Sequence, residues 1–409
     1  MAIDSDAADG TVDGATIIPN MLGQVSTACI QELRQYLTSS QDESQNRSSP
    51  FTAFAQHQVQ ERSNFIILTG HRVLNINWKD CDGMVASGVN FQASKNGDIH
   101  SVTAKREVLL AAGSLQSPQI LELSGVGDPG VLAAAGVPLK IATPGVGKHM
   151  QEQTKNSLYY DAKDLIFNGS GPPSAIAFPN IHQLLKDDAA TMYDTTMSNI
   201  ATHAADLERK GLVVDSAATQ AVLEAQVNNL FEDNAPAAEV FFTVFPNEKQ
   251  IGVDLWNLIV LSRGTCHTKS DDSWVRPIVD PAYFGHPQDL AIQIAASKQS
   301  REVFRTEPLS QFVASETVPG SAVSQDNTDT EWDAWVKGSF TSVWHYIATA
   351  AMMEEDKGGV VSNRFKVYGI DNVRVVDASV LPIQLSAHLS SSLYGIALKA
   401  AKIIQEDQF

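Results

Sequence analysis

Thr341-Ser-Val-Trp-His345-Tyr-Ile-Ala-Thr349 and Ser386-Ala-His388-Leu-Ser each place a histidine beside small and hydroxylated residues at the edge of an apolar segment. Between them, Val373–Val376 is typical of a short buried strand, and Asp377-Ala-Ser follows it where strand-to-loop chemistry usually lies. From Ser392 onward apolar residues recur at helical spacing, so His388 is predicted just before a helix N-terminus. Such an end favours a negative ligand or a developing oxyanion. Two imidazoles near it would suit proton abstraction and return.

A second informative stretch begins at Arg106-Glu-Val-Leu-Leu-Ala-Ala-Gly113, which predicts a buried strand that ends in a tight turn. Ser117 and Pro118 follow as a good N-cap and first-turn pair, and Gly125 is a good C-terminal stop. The pattern therefore predicts a strand, a glycine turn and a helix in succession.

These two regions, with Gly358-Gly-Val-Val-Ser-Asn-Arg-Phe-Lys-Val-Tyr-Gly369 between the histidines, resemble the glucose–methanol–choline (GMC) oxidoreductases. Those are FAD enzymes that oxidise a hydroxyl-bearing carbon, and fungal glucose and aryl-alcohol oxidases are the most similar in character. The resemblance implies that His345 is the catalytic base and that His388 hydrogen-bonds the substrate oxygen. It also implies FAD as cofactor, with contacts at Val73, Gly113, Asp377, Ala378, Leu389 and Ser390. Trp344 and Tyr346 flank the base, and we expect them either to shape the substrate pocket or simply to pack in the core.

The resemblance also implies a division of the chain. An α/β, partial FAD-binding domain is expected at residues 64–152 and 339–409. A substrate domain of α+β character, with helices and a mixed or antiparallel sheet, is expected at residues 153–338. Residues 1–63 are predicted to be a loop and helix segment. Smaller predictions are strands from Asn64, at Val85–Phe91, Ile99–Ala104, Val240–Val244 and Leu255–Leu261, and helices at Ser26–Leu37, Ala217–Phe231 and Asp289–Phe304.

One expected unit is missing from the pattern. Proteins of this family hold ADP with a strand, a Gly-x-Gly-x-x-Gly turn and a helix, and no such unit opens this chain. The literal match Gly125-Val-Gly-Asp-Pro-Gly130 follows a helix instead of a strand, so a helix C-cap and loop is the better interpretation. In addition, Gln151-Glu-Gln153 stands where the family usually has Gln-Asp-His.

Four interpretations fit these observations. The chain is a truncated form of a FAD alcohol oxidase or dehydrogenase, or one half of a two-chain enzyme whose ADP-binding half is supplied separately. Alternatively, it is a flavin-less descendant that uses His345 and His388 for redox-neutral dehydration, isomerisation or cyclisation. The fourth interpretation is a binding role without catalysis.

Composition narrows the classes of partner. The 409 residues carry a formal net charge of -18, which argues against nucleic acid or an anionic membrane as a partner. The family resemblance implies a small hydroxylated molecule as the substrate. Cys29, Cys81 and Cys266 lack metal-site spacing, so neither a disulfide framework nor a zinc site is predicted. The chain starts with no pattern of a signal peptide, and its sequons at Asn46 and Asn168 leave the compartment open.

Overall fold

The computed structural model describes residues 3–4, 15–17, 49–80, 84–163, 175–245, 249–325 and 328–408. Its strands are β1 Ile3–Asp4, β2 Ala15–Ile17, β3 Arg72–Trp78, β4 Ala86–Gln92, β5 Ile99–Thr103, β6 Val108–Leu110, β7 Val126–Gly127, β8 Ile141–Ala142, β9 Thr154–Ala162, β10 Ala175–Ala177, β11 Ala238–Phe245, β12 Gln250–Asn257, β13 Thr265–His267, β14 Ile278–Asp280, β15 Val313–Val318, β16 Thr341–Ser342 and β17 Val373–Val375. Its α-helices are α1 Gln56–Glu61, α2 Ser117–Leu123, α3 Pro129–Ala135, α4 Ile181–Leu185, α5 Ala189–Arg209, α6 Ser216–Phe231, α7 Pro287–Arg305, α8 Asp329–Ser339 and α9 Leu389–Gln408.

The helix starts follow local capping chemistry. The Asp215 side chain accepts from the backbone N–H of Ala218 and begins α6, and the Asp128 carboxylate caps α3 in the same way. Asn180 and Gln183 form a reciprocal capping box at α4. Each cap satisfies backbone donors that a helix start leaves free.

An eight-stranded sheet runs in the order β1-β2-β10-β11-β12-β9-β15, and β16 also pairs with β9. Apart from the parallel pair β1–β2, its pairings are antiparallel, so the sheet is mixed as expected. Helices α4 to α8 pack against one another and against one face of this sheet, around buried residues such as Leu158, Leu223 and Trp332. In β11 the side chains alternate, so Val240 faces that core whereas Glu239 faces the opposite side.

A second core lies beneath two smaller sheets. Strands β6 and β17 pair in parallel, and β3-β4-β5 form an antiparallel meander. Buried Val108, Val373 and Val375 pack there with Ile403 from helix α9. Because parallel strands point the same way, the chain leaves both at one edge, and this places Gly113 and Asp377 side by side.

Several sequence-based boundaries were wrong. The apolar run from Asn64 to Thr69 makes no strand, and Ile66 is 84% exposed; pairing begins only at Arg72. Strand β12 ends at Asn257, so residues 258–261 are irregular although they are buried. The predicted cap Ser117 is the first helical residue, since Gln116 takes the N-cap position. The helix predicted at Ser26–Leu37 lies outside the described residues.

The predicted helix end at Gly125 was confirmed. Gly125 has a φ of 84°, directly after the helix α2 cap. Gly127 lies in a short parallel strand pair, and the Asp128 carboxylate caps the next helix by accepting from the backbone N–H groups of Gly130 and Val131. The Gly-x-Gly-x-x-Gly match therefore spans the end of helix α2, strand β7 and the start of helix α3; the helix end at Gly125 was confirmed, whereas the predicted loop after it was wrong.

Candidate active site

His345 lies on a bulge between two paired segments. Lys155 pairs with Thr341, and Gln151 pairs with Ile347. The segment from Gln151 to Lys155 is therefore two residues shorter than the paired segment from Thr341 to Ile347, and the longer segment bulges out of the pairing. Trp344 within it has a φ of 64°, a left-handed conformation that is rare for a bulky residue. Bulges commonly redirect side chains next to active sites.

A buried carboxyl group holds this bulge. Glu152 Oε1 accepts from the backbone N–H of Val343 at 3.0 Å and from that of His345 at 3.3 Å. Burial raises the pKa of Glu152 to about 7, although these backbone hydrogen bonds oppose the shift. The N–H of Val343 also reaches the Gln153 carbonyl oxygen at 3.3 Å, so the carboxyl group chiefly supplies the acceptor for the N–H of His345.

The ring of His345 is oriented by an amide. Its Nδ1 lies 2.8 Å from Gln153 Oε1, and Gln153 Nε2 donates to the carbonyl oxygen of Leu258 at 2.7 Å. Burial, followed by the charge of His388, lowers the pKa of His345 to about 4. The ring is therefore neutral at pH 7 and able to accept a proton.

The ring of His388 is oriented by a carboxylate. Its Nε2 lies 2.5 Å from Oε1 of Glu239, whose side chain is fully buried. Partial burial lowers the pKa of His388, but the hydrogen bond to Glu239 and its charge outweigh this, so the net shift is upward. Burial also raises the pKa of Glu239. Both pKa values are therefore raised, which favours a proton held between the His388 ring and the Glu239 carboxyl group.

The two imidazoles meet edge to face, with ring centroids 5.6 Å apart. Trp256 lies edge-on to His388 at 5.5 Å, and Phe241 lies 6.3 Å away. The structure thus brings together both histidines predicted from the sequence. The pKa of His345 is lowered and that of His388 is raised, and Trp256 and Phe241 of the large sheet lie beside His388.

The residues predicted to shape the substrate pocket differ in exposure. Trp344 is 78% exposed, so core packing is excluded as its role. Tyr346 is half-buried, its hydroxyl accepts from Ser342 Oγ at 3.0 Å, and its carbonyl accepts from Ser114 Oγ. Only Trp344 is thus free to contact a ligand with most of its ring.

The predicted flavin contacts cluster where β6 and β17 end. Asp377 Oδ2 accepts from the backbone N–H of Gly113 at 2.9 Å and from Ser117 Oγ, while its Oδ1 accepts from Ser379. A side chain built on Gly113 would meet no atom within 4 Å, and Ala111 and Ala112 beside it are exposed. An open cradle thus lies at the carboxyl end of β6, as a flat ring would require.

The remaining predicted contacts lie around this cradle. Leu389 is buried against Ile347 and Ala348, whereas Ser390, in the first turn of α9, is exposed. Val73 lines a groove of about 530 Å³ that also runs past Leu110 and Ala112. Ala378 is partly buried beside Leu389. The described residues therefore fit the ring-facing side of a flavin site.

Sequence reasoning missed Glu239 and Gln153 as partners of the two histidines. Glu239 is 149 residues from His388, and Gln153 is 192 residues from His345. One signal was available, since Glu239 directly precedes Val240-Phe-Phe in a predicted strand. A carboxylate buried in such a strand needs a partner.

The chain belongs to the GMC oxidoreductase family. The amino-terminal family model, described as GMC oxidoreductase, matches residues 28–155, and the carboxyl-terminal model matches residues 260–397. Within the family, the chain is similar to glucose oxidase from Penicillium chrysogenum, with 36% identity over 349 residues. That alignment covers 85% of this chain and 56% of the relative. The GMC oxidoreductase family protein Mala s 12 of Malassezia sympodialis is 32% identical, and the alignment covers 85% of this chain and 57% of that protein.

Solved structures support the same family assignment. A FAD-dependent oxidoreductase from Chaetomium thermophilum superposes with a TM-score of 0.79 at 26% identity, covering 88% of this chain and 65% of that one. A fungal aryl-alcohol oxidase gives a TM-score of 0.76 at 26% identity, with 89% and 64% covered. The chain thus spans little more than half the length of the curated relatives. Among the described residues, no helix combines the length and hydropathy needed to cross a bilayer.

Proposed function

We propose that this chain provides the substrate-facing half of a FAD-dependent oxidoreductase that oxidises a CH–OH group in a small hydroxylated molecule. The observation that carries the proposal is the contact between the rings of His345 and His388, 5.6 Å apart, with unlike partners. The neutral His345 takes the hydroxyl proton through Nε2. His388 donates a hydrogen bond to the substrate oxygen and shares its proton with Glu239. Bound FAD would supply the hydride acceptor.

The residues near the histidines indicate how a substrate is positioned. Trp256 and Phe241 offer apolar edges beside His388, and Trp344, next to His345 on the bulge, is 78% exposed. The apolar edges of Trp256 and Phe241 would contact the body of the substrate, while its hydroxyl group faces the imidazoles. This arrangement suits a primary or secondary alcohol with an apolar or aromatic body.

Flavin binding requires a further ADP-binding unit at the edge of β6. In the described part of the chain β6 pairs only with β17, and Leu109 on it is 50% exposed. A parallel sheet is normally covered on both faces and continued past such a strand. We infer that an ADP-binding strand and helix add to this edge, either joined to this chain or supplied by a second one.

Visible absorption tests the proposal. The purified chain is mixed with FAD alone, and with FAD and the ADP-binding half of a GMC relative; yellow colour that persists through gel filtration is expected in the second mixture. His345→Ala then keeps the colour and loses about 10²–10⁴-fold in turnover of an alcohol. Colourless protein that converts an alcohol with no electron acceptor overturns the proposal and supports the redox-neutral alternative.

A further inference from the structure

The amide of Gln153 can adopt only one orientation. Its Nε2 donates to the Leu258 carbonyl at 2.7 Å, and a carbonyl oxygen can only accept. The amide oxygen must therefore face His345, at 2.8 Å from Nδ1. Gln153 is fully buried, as is Leu258, so water does not offer the amide an alternative partner.

An acceptor facing Nδ1 decides which ring nitrogen carries the proton. A neutral imidazole has one N–H and one lone pair, and the amide oxygen stabilises the form with the proton on Nδ1. The lone pair then lies on Nε2, which has no protein partner among the described residues. That nitrogen is the one free to receive a proton from a ligand.

We propose that Gln153 is a positioning residue that holds His345 in its Nδ1–H tautomer and thereby turns Nε2 into the proton acceptor. This inference rests on the proposed function for its catalytic meaning. The tautomer itself can be observed without FAD, a substrate or turnover. A carboxylate at the same place would add charge, whereas the amide fixes the tautomer and leaves the ring neutral.

Nitrogen NMR of ¹⁵N-histidine-labelled chain at pH 7 tests the proposal. His345 is assigned by the signal that disappears in His345→Gln. The wild-type ring should show a protonated Nδ1 and an unprotonated Nε2. In Gln153→Met, which keeps the side-chain length and removes the acceptor, the Nδ1–H to Nε2–H ratio should fall about five- to tenfold, as expected for one neutral hydrogen bond.

Gln384→Met is the matched control. Gln384 Nε2 donates to the backbone carbonyl of His345 and does not contact its ring, so the wild-type tautomer ratio should persist. A wild-type ring protonated on Nε2, or a ratio unchanged in Gln153→Met, overturns the inference. Neither result depends on whether the protein binds FAD. In the FAD-loaded enzyme Gln153→Met should lower kcat about two- to threefold with KM unchanged, because kcat follows the fraction of the Nδ1–H tautomer and this fraction falls less than the tautomer ratio.

Discussion

The rings of His345 and His388 are in contact, yet their hydrogen-bond partners differ in charge. The amide of Gln153 is neutral and the pKa of His345 falls to about 4, whereas the carboxylate of Glu239 raises the pKa of His388. Burial lowers the pKa of both rings, so burial alone does not explain why the two net pKa shifts have opposite directions. The charge of the partner therefore decides which histidine accepts a proton and which carries one.

Removing the charge of Glu239 should abolish the difference in pKa between the two rings. Glu239→Gln gives His388 the same kind of partner as His345, so its pKa should fall below the usual value and both rings should be neutral at pH 7. Turnover by the FAD-loaded enzyme should then drop about 10²-fold or more, since the proton-bearing neighbour is lost. NMR titration of the histidines and kcat between pH 5 and 8 measure both effects. An unchanged pKa of His388 would contradict the comparison.

The carboxyl group under the bulge should make stability depend on pH. The pKa of Glu152 is raised to about 7, so the folded state binds the extra proton between pH 4.5 and 7. Its stabilisation is complete below pH 4.5 and is lost as pH rises through 7, by about 3 kcal/mol. Because the buried His149 imidazole contributes a pH dependence of opposite sign, the quantity to measure is the difference in free energy of unfolding between wild type and Glu152→Gln, by urea denaturation at pH 5 and at pH 8; it should shift by about 2–3 kcal/mol in favour of wild type at pH 5.

Glu152→Ala separates the hydrogen bonds from the charge. It removes the acceptor for the N–H of His345, so the variant should be less stable than Glu152→Gln at both pH values by about 1–3 kcal/mol. Equal stability of the alanine and glutamine variants would show that the bulge does not depend on this side chain.

A third histidine, His149, extends the comparison to a ring whose Nε2 lacks a hydrogen-bond partner in the described part of the chain. Nε2 of the buried His149 makes no hydrogen bond among the described residues, and burial lowers its pKa to about 3. Its neutral form stabilises the fold fully above pH 6.5, and this is lost as pH falls, by about 2 kcal/mol at pH 5. His149→Asn suits the left-handed backbone there and should flatten the slope of stability between pH 6.5 and 5. A slope equal to wild type would contradict this assignment.

Local pattern predicted the elements that carry the site better than it predicted the contacts within it. The strand at Val373 and the helix after His388 follow from apolar periodicity and were confirmed. The strand predicted from Asn64 was wrong because a strand forms only beside a pairing partner, which the periodicity of the sequence does not reveal. Glu239 and Gln153 could not be assigned to their histidines because their proximity is created by the large sheet.

The bulge that carries His345 has a consequence for how the family can vary. Register on either side is held by Thr341 and Ile347, so the loop between them can gain or lose a residue while the flanking ladder stays closed. Each such change would move the base by up to about 3 Å along the strand direction. The position of the His345 ring can thus change with the length of one short loop, while the paired segments on both sides stay intact.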